Sequence, residues 1–123
     1  MTAEKLLAQA QSVQSRAQAK YSNYPVGAAL LADNGQIILG CNIESKAYPT
    51  TMCAERVAMF SALSQGITAF KMIAVVTEDG ATPCGSCRQV LYEYAGDIPV
   101  IIGDSNGIVN EINLGELLPH PFA

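Results

Sequence analysis

Two short cysteine motifs constrain this chain more than any other feature of its sequence. Residues 53–55 read Cys-Ala-Glu, and residues 83–87 read Pro-Cys-Gly-Ser-Cys, each at the start of an apolar helical pattern. Cys84 and Cys87 are three residues apart, so on a helix they share a face and can bind one ion. At a helix N-terminus, free backbone N–H groups and the helix dipole stabilise thiolates. A fold that brings the two helix starts together would therefore create a three-thiolate site.

The sequence around these motifs predicts alternating helices and strands. Residues 2–19 carry apolar side chains at helical spacing, with Thr2 as the N-cap. Apolar runs at 26–31 and 36–40 flank an Asp-Asn-Gly segment, which predicts a β-hairpin. The other predicted elements are a helix over 53–64, a strand over 72–77, a helix over 84–94, strands over 99–102 and 108–112, and a short helix over 114–118.

This order of elements predicts an α/β fold. Helices between the central strands imply parallel pairing there, with the helices packed on the sheet. The turn at 104–107 is too short for a crossover, so the last two strands should be antiparallel. We expect one domain over residues 1–123, a three-layer α/β/α arrangement with a mixed five-stranded sheet. Parallel strands place the starts of their following helices at one sheet edge, so the two cysteine motifs can meet there.

The residue types in these motifs indicate zinc chemistry. Three thiolates at tetrahedral spacing suit Zn²⁺ and leave a fourth position for water. Glu55, two residues after Cys53, can enter the same pocket without binding the metal and can move a proton between water and a substrate. Three thiolates on Zn²⁺ leave a net negative charge, which opposes deprotonation of the bound water. Arg56, the next residue, is a candidate to offset that charge.

With these motifs the sequence resembles the small homotetrameric, zinc-dependent cytidine deaminases. A Cys-Ala-Glu motif followed by Pro-Cys-x-x-Cys is the zinc nucleoside deaminase signature in its three-cysteine form. The resemblance covers nearly the whole chain in order, through segments 21–30, 40–44, 53–56, 83–89 and 117–122. It implies a cytidine deaminase-like fold and one Zn²⁺ per subunit.

The resemblance also implies a reaction, that of a hydrolase acting on cyclic amidines. Cytidine and 2′-deoxycytidine would be deaminated to uridine and 2′-deoxyuridine in pyrimidine salvage, with zinc-bound hydroxide attacking C4 and ammonia leaving. Cys53, Cys84 and Cys87 would bind the zinc. Glu55 would carry protons from the zinc-bound water to N3 and then to the leaving amine. Arg56 would hydrogen-bond the ligand thiolates and relieve their negative charge.

Substrate-binding residues follow from the same resemblance. Asn42 and Glu44 would hydrogen-bond the ribose. Tyr24 occupies the position of a phenylalanine that stacks on the pyrimidine, and Ala54 would meet the base.

Three further residues are implicated at contacts between subunits of the resembling family. Tyr48 and Phe122 would reach a neighbouring subunit's site and help to close it. The family usually reads Asn-x-Glu-Asn-Ala where residues 42–46 read Asn-Ile-Glu-Ser-Lys. Lys46 would approach the ribose 5′ end across a subunit interface. It is therefore a candidate specificity determinant, and our hypothesis is that it favours a substituted or anionic group at the 5′ position.

Composition and charge exclude other classes of partner. The net charge is −4 and the seven Lys and Arg residues are scattered, so no basic stripe is present to bind nucleic acid. No run of about 18 apolar residues is present to span a membrane. Residues 1–20 lack the apolar core of a signal peptide, so we expect a cytoplasmic protein. Half of the residues are hydrophobic, which for a small domain indicates burial in an oligomer. The resemblance implies that this oligomer is a homotetramer whose sites are shared between subunits.

Alternative interpretations of the same residues remain open. Cys84 and Cys87 could form a redox dithiol, or Cys41 could complete a closed structural zinc site, although it is more simply a small residue ending a strand. His120 is expected at the surface. The alternative activity is that of a related zinc deaminase acting on another aminated base, a modified nucleoside or a nucleoside antibiotic. A non-enzymatic zinc-binding module is the third class.

Overall fold

The computed structural model describes residues 1–122, which form a five-stranded sheet covered by helices on both faces. Its strands are β1 (Gly27–Ala32), β2 (Ile37–Cys41), β3 (Phe70–Val76), β4 (Pro99–Asp104) and β5 (Gly107–Asn113). The helices are α1 (Ala3–Gln14), α2 (Ala54–Ser64), α3 (Gly85–Ala95) and α4 (Leu114–Leu117), with a 3-10 turn at Tyr48–Thr50. The predicted order of elements and the three-layer α/β/α arrangement are confirmed.

The sheet is mixed, and its strand order is β2-β1-β3-β4-β5. Strand β1 pairs antiparallel with both β2 and β3, β3 pairs parallel with β4, and β4 pairs antiparallel with β5. Since β1 is antiparallel to both of its neighbours, β2 and β3 run in the same direction. The helices that follow them, α2 and α3, therefore begin at the same edge of the sheet. Both cysteine motifs lie at that edge.

Each face of the sheet has its own apolar core. Ala29 and Leu31 of β1 pack against Leu6 of α1, whereas Leu30 packs with Met59 of α2 on the opposite face. All six residues of β1 are buried, which explains its continuous apolar run. Helices α2, α3 and α4 share one face of the sheet, and α1 covers the other.

Helix α1 begins as predicted but ends earlier. The Thr2 side chain caps it by accepting a hydrogen bond from the Lys5 N–H at 3.2 Å. The predicted C-terminal end at residue 19 is wrong, because α1 ends at Gln14. The Gln18 N–H donates to the Asn42 carbonyl at 2.9 Å, and its own carbonyl accepts from the Glu44 N–H at 3.0 Å. The chain thus leaves the helix to pair with the segment that follows β2.

A close approach between α2 and β2 depends on Gly40. A Cβ atom at this position would lie 2.3 Å from the Ala54 carbonyl oxygen and 2.6 Å from the Ala58 nitrogen. Only a residue without a side chain lets the first turn of α2 pack so closely on the strand. The positions of Cys53 and Glu55 relative to the sheet therefore depend on Gly40. Within residues 1–122, no helix is both long enough and apolar enough to cross a membrane.

Candidate active site

A cavity of about 400 Å³ opens at the sheet edge where α2 and α3 begin. Its walls come from the segment before β1, the segment after β2, the first turn of α2, the end of β3 and the loop before α3. The residues that line it are Ser22, Tyr24, Val26, Asn42, Glu44, Thr51, Met52, Cys53, Ala54, Glu55, Val75, Thr77, Ala81, Thr82, Pro83 and Cys84.

Three cysteine thiols converge beside this cavity, and two of them, those of Cys53 and Cys84, belong to residues that line it. The Sγ atoms of Cys53, Cys84 and Cys87 all lie within 4.8 Å of one another, and those of Cys53 and Cys84 are 3.7 Å apart. Cys53 and Cys84 are the N-cap residues of α2 and α3, so both thiols lie at helix N-termini, where backbone N–H groups have no partner within the helix. Three converging thiolates suit a tetrahedral zinc ion with one open position.

This cluster argues against the other interpretations of the cysteines. Cys41 ends β2, opposite Gly27 of β1, and its thiol does not belong to the cluster. A closed four-cysteine site that includes Cys41 is therefore wrong. A redox dithiol needs only Cys84 and Cys87, so it would not explain why the Cys53 thiol lies in the same cluster.

The thiols have unequal acidity. The pKa of Cys53 is lowered to about 5, first by a hydrogen bond from the Cys87 thiol and then by Arg56. The same hydrogen bond, together with burial, raises the pKa of Cys87. The Arg56 Nη2 group donates to the Cys53 Sγ at 3.3 Å, and its buried Nε has no hydrogen-bond partner among residues 1–122. The guanidinium of Arg56 thus lies against the thiol cluster, as the sequence predicted.

Glu55 lines the same cavity without joining the thiol cluster. Its side chain is only 4% exposed, and burial raises the pKa of its carboxyl group to about 7. A carboxyl group with that pKa both accepts and releases a proton near neutral pH. The geometry therefore suits a proton carrier beside a metal site.

Asn42 is buried, and its amide joins neighbouring segments of the cavity wall. The Oδ1 atom accepts a hydrogen bond from the Val26 N–H at 2.9 Å. The Nδ2 group donates to the Tyr24 carbonyl at 3.0 Å and lies 3.4 Å from the Glu44 carboxylate. One of the two Nδ2 hydrogens therefore makes only a long, weak hydrogen bond.

Glu44 lies beside Asn42 and is held by the segment before β1. Its carboxylate accepts hydrogen bonds from the Tyr21 and Ser22 N–H groups, both at 3.0 Å, and from the Ser22 hydroxyl. The Ser22 hydroxyl is the main reason that the pKa of Glu44 is lowered. Glu44 is therefore an ionised acceptor at the cavity wall.

The two residues predicted to contact the base lie in the wall of the cavity. Tyr24 and the fully buried Ala54 both line the cavity, together with Val26 and Val75. Sequence reasoning missed the two valines and several polar residues, among them Thr77. The sequence could have indicated Thr77, since it is the first polar residue after the buried run of β3.

Three predicted residues do not line the cavity of their own chain. Tyr48 and Phe122 are 73% and 85% exposed, and Lys46 is also exposed. Tyr48 packs edge-on against Tyr21 with ring centroids 6.4 Å apart, beside a shallow depression that adjoins the cavity at Glu44.

Known proteins match the chain along its length. The family model of the cytidine and deoxycytidylate deaminase zinc-binding region matches residues 1–103. A cytidine deaminase of Sporosarcina psychrophila is 47% identical over 126 aligned residues, which cover 100% of this chain and 93% of the relative. One of Halalkalibacterium halodurans is 42% identical over 125 residues, covering 99% and 95%. The crystal structure of a cytidine deaminase from Burkholderia pseudomallei superposes with a TM-score of 0.95 at 41% identity, covering 99% of this chain and 100% of that one.

Proposed function

This chain belongs to the cytidine and deoxycytidylate deaminase family, and from that premise we propose that it hydrolyses cytidine and 2′-deoxycytidine to uridine and 2′-deoxyuridine. The observation that carries the proposal is a cluster of three thiols at the edge of a cavity that the buried Glu55 also lines. Cytidine deaminases matched over at least 93% of their own length favour cytidine over another aminated base or a nucleoside antibiotic.

The enzyme is zinc-dependent, and the thiolates of Cys53, Cys84 and Cys87 would hold one Zn²⁺. When bound, the metal supplies Lewis-acid chemistry that makes a water molecule nucleophilic enough near neutral pH to attack C4 of the base. The guanidinium of Arg56 offsets part of the negative charge that three thiolates bring to this site.

Glu55 carries the protons of the reaction. Its carboxylate takes a proton from the attacking water and delivers it to N3 of the pyrimidine, and it then transfers the second water proton to the exocyclic amine. The water oxygen becomes bonded to C4, the bond from C4 to the amine nitrogen breaks, and ammonia leaves. The pKa of about 7 allows Glu55 to accept and release protons in turn.

The substrate is held by the polar and apolar walls described above. The weakly engaged Nδ2 hydrogen of Asn42 can turn to a ribose hydroxyl, and the ionised Glu44 accepts a hydrogen bond from another. Tyr24 stacks on the pyrimidine, and Ala54 meets the edge of the base. These contacts exclude water from one face of the nucleoside.

The proposal extends to assembly and cellular role. Tyr48 and Phe122 are strongly exposed, and each would fit a neighbouring copy's cavity in a homotetramer. Further apolar side chains at the surface, including Phe60 and Val109, support burial between subunits. The reaction then serves pyrimidine salvage in the cytoplasm, on free nucleosides.

The test is Glu55→Gln, with ammonia release, the fall in cytidine absorbance and zinc content measured on the same preparation. We expect one zinc per chain to be retained and kcat to fall by about 10²–10⁴-fold, because the amide cannot carry a proton. Glu78→Gln, an acid-to-amide change at an exposed position, is the matched control and should keep wild-type kcat. Wild-type turnover by Glu55→Gln would contradict the assignment of Glu55. A wild-type protein that releases no ammonia from cytidine would contradict the function itself.

A further inference from the structure

We propose that Asp79 is a positioning residue for the substrate, because it holds the Tyr24 ring in place as a wall of the base pocket. The hydrogen bond between the two side chains is called here the Tyr24–Asp79 latch. The identity of the substrate in this proposal rests on the proposed function, whereas the latch itself rests on contacts within the chain.

The latch joins two loops that are far apart in sequence. The Tyr24 hydroxyl, in the segment before β1, donates to the Asp79 Oδ1 atom at 2.5 Å, in the loop between β3 and α3. The Thr77 hydroxyl donates to the same oxygen at 3.2 Å, and the Ala81 N–H donates to the Thr77 oxygen at 2.9 Å. Tyr24, Thr77 and Ala81 all line the cavity, so the network ties two of its walls together.

The turn that presents Asp79 is itself braced by the sheet. Gly80 has a φ of +68°, a conformation that favours glycine, and a Cβ there would lie 2.9 Å from the Val109 side chain of β5. The carboxylate therefore extends from a turn packed against a strand.

Both partners are in the charge state that the hydrogen bond requires. The Tyr24 hydroxyl is the main cause that lowers the pKa of Asp79, and burial followed by Asp79 raises the pKa of Tyr24. Near neutral pH the acceptor is ionised and the donor keeps its proton. A hydrogen bond to a charged acceptor is stronger than a neutral one.

The consequence for the substrate is geometric. Because the hydroxyl is engaged with Asp79, the base meets the face of the Tyr24 ring and not its polar end. Without Asp79 the hydroxyl would seek another partner and the ring would lose its fixed orientation. A stacking contact acts on bound substrate and transition state alike, so its loss raises KM and leaves kcat nearly unchanged.

The experiment is a double-mutant cycle on the zinc-loaded enzyme, with Asp79→Ala, Tyr24→Phe and the double variant. KM and kcat for cytidine and the dissociation constant of uridine are measured for each. We expect Asp79→Ala to raise KM and the uridine dissociation constant about three- to tenfold, with kcat within about twofold of wild type. In the Tyr24→Phe background, Asp79→Ala should cost nothing further, because the hydroxyl through which Asp79 acts is gone.

Glu78→Gln is the control for loss of one negative charge on the same loop, since it removes a charge near Tyr24 but none of the hydrogen bonds of the latch. An equal cost of Asp79→Ala in both backgrounds, an unchanged KM, or a fall in kcat as large as the rise in KM would overturn the proposal. Uridine binding requires no turnover, so an inactive protein that binds uridine refutes the proposed function and still tests the latch. A wild-type protein that does not bind uridine overturns the latch as a substrate-positioning device.

Discussion

At the scale of single residues, three carboxylates around one cavity differ in their surroundings, and the difference separates their roles. Burial raises the pKa of Glu55, whereas hydrogen bonds from neighbouring hydroxyl groups lower those of Glu44 and Asp79. A group that titrates near neutral pH can carry protons, and a group that stays ionised serves as a fixed acceptor. Glu55 is thus suited to proton transfer. Glu44 is suited to accepting a hydrogen bond from the substrate, and Asp79 to holding the Tyr24 side chain in the cavity wall.

Cys41→Ser tests whether the metal site is limited to three thiolates. Burial raises the pKa of the Cys41 thiol, and that thiol lies outside the cluster, so serine should replace it without loss of metal. We expect one zinc per chain by elemental analysis. Cys87→Ser, made in parallel, should lose most of the zinc, and a zinc-free Cys41→Ser protein would contradict the open three-thiolate site.

Lys46→Ala tests the hypothesis on specificity at the ribose 5′ end. Lys46 is exposed and follows Ser45, a residue of the depression that adjoins the cavity. An exposed ammonium attracts an anion weakly, so the preference for a 5′-anionic cytidine analogue over cytidine should fall about two- to fivefold. The measurement is the ratio of kcat/KM values for the two substrates. Lys71→Ala, another exposed lysine, is the control, and an unchanged ratio in Lys46→Ala would reject the hypothesis.

At the scale of elements, the site exists because two helices begin at one edge of the sheet. The helices follow β2 and β3, which are codirectional but separated by β1. Helix α2 then depends on Gly40 for its close contact with β2, so a strand residue sets the depth at which Cys53 and Glu55 enter the cavity.

Gly40→Ala should therefore disturb both stability and metal binding. The added methyl group meets backbone atoms of α2 at 2.3 and 2.6 Å, which cannot move without shifting the helix. Overpacking of this kind costs about 1–3 kcal/mol or more of unfolding free energy, and zinc affinity should fall with it. Urea denaturation at a fixed protein concentration and zinc titration measure the two effects.

The matched control is Gly85→Ala in the first turn of α3, where an added Cβ meets no atom within 4 Å. It should leave the unfolding free energy within about 1 kcal/mol of wild type. Equal stability of the two alanine variants would show that α2 does not depend on the close approach at Gly40.

At the scale of the whole molecule, the aromatic residues predicted to contact substrate fall into two groups. Tyr24 lines the cavity of its own chain, whereas Tyr48 and Phe122 lie exposed outside it. The backbone N–H of Phe122 donates to the Gln89 side chain at 3.0 Å, which holds the exposed ring close to helix α3. An exposed aromatic on an anchored segment is suited to insertion into a second copy.

Sedimentation at micromolar concentration should accordingly show a species of about four chain masses, as expected for a closed tetramer, and not one of 13.0 kDa. Co-expression of Glu55→Gln with Phe122→Ala chains tests the shared site directly. A Phe122→Ala chain keeps its own Glu55 and can receive Phe122 from its neighbour, so mixed oligomers should exceed the mean activity of the two parents. A 13.0 kDa species with full activity would contradict the shared-site assembly.

The sequence by itself determined the order of the elements, both hairpins and the residue types that could bind a metal. These features depend on local patterns: apolar spacing, turn residues such as Gly35 at φ +89°, and cysteines placed at helix starts. Residues adjacent in sequence make these signals, so they are readable without knowledge of the fold.

Only the tertiary structure decided which distant residues meet. It ended α1 at Gln14, because Gln18 pairs with the segment after β2, and it placed Thr77 in the cavity. It also brought Tyr24 onto Asp79, a partner that no spacing indicates. Hydrogen bonds between loops depend on strand order and on the path of each connection. No local pattern of residues encodes them, so they can be read only once the sheet is assembled.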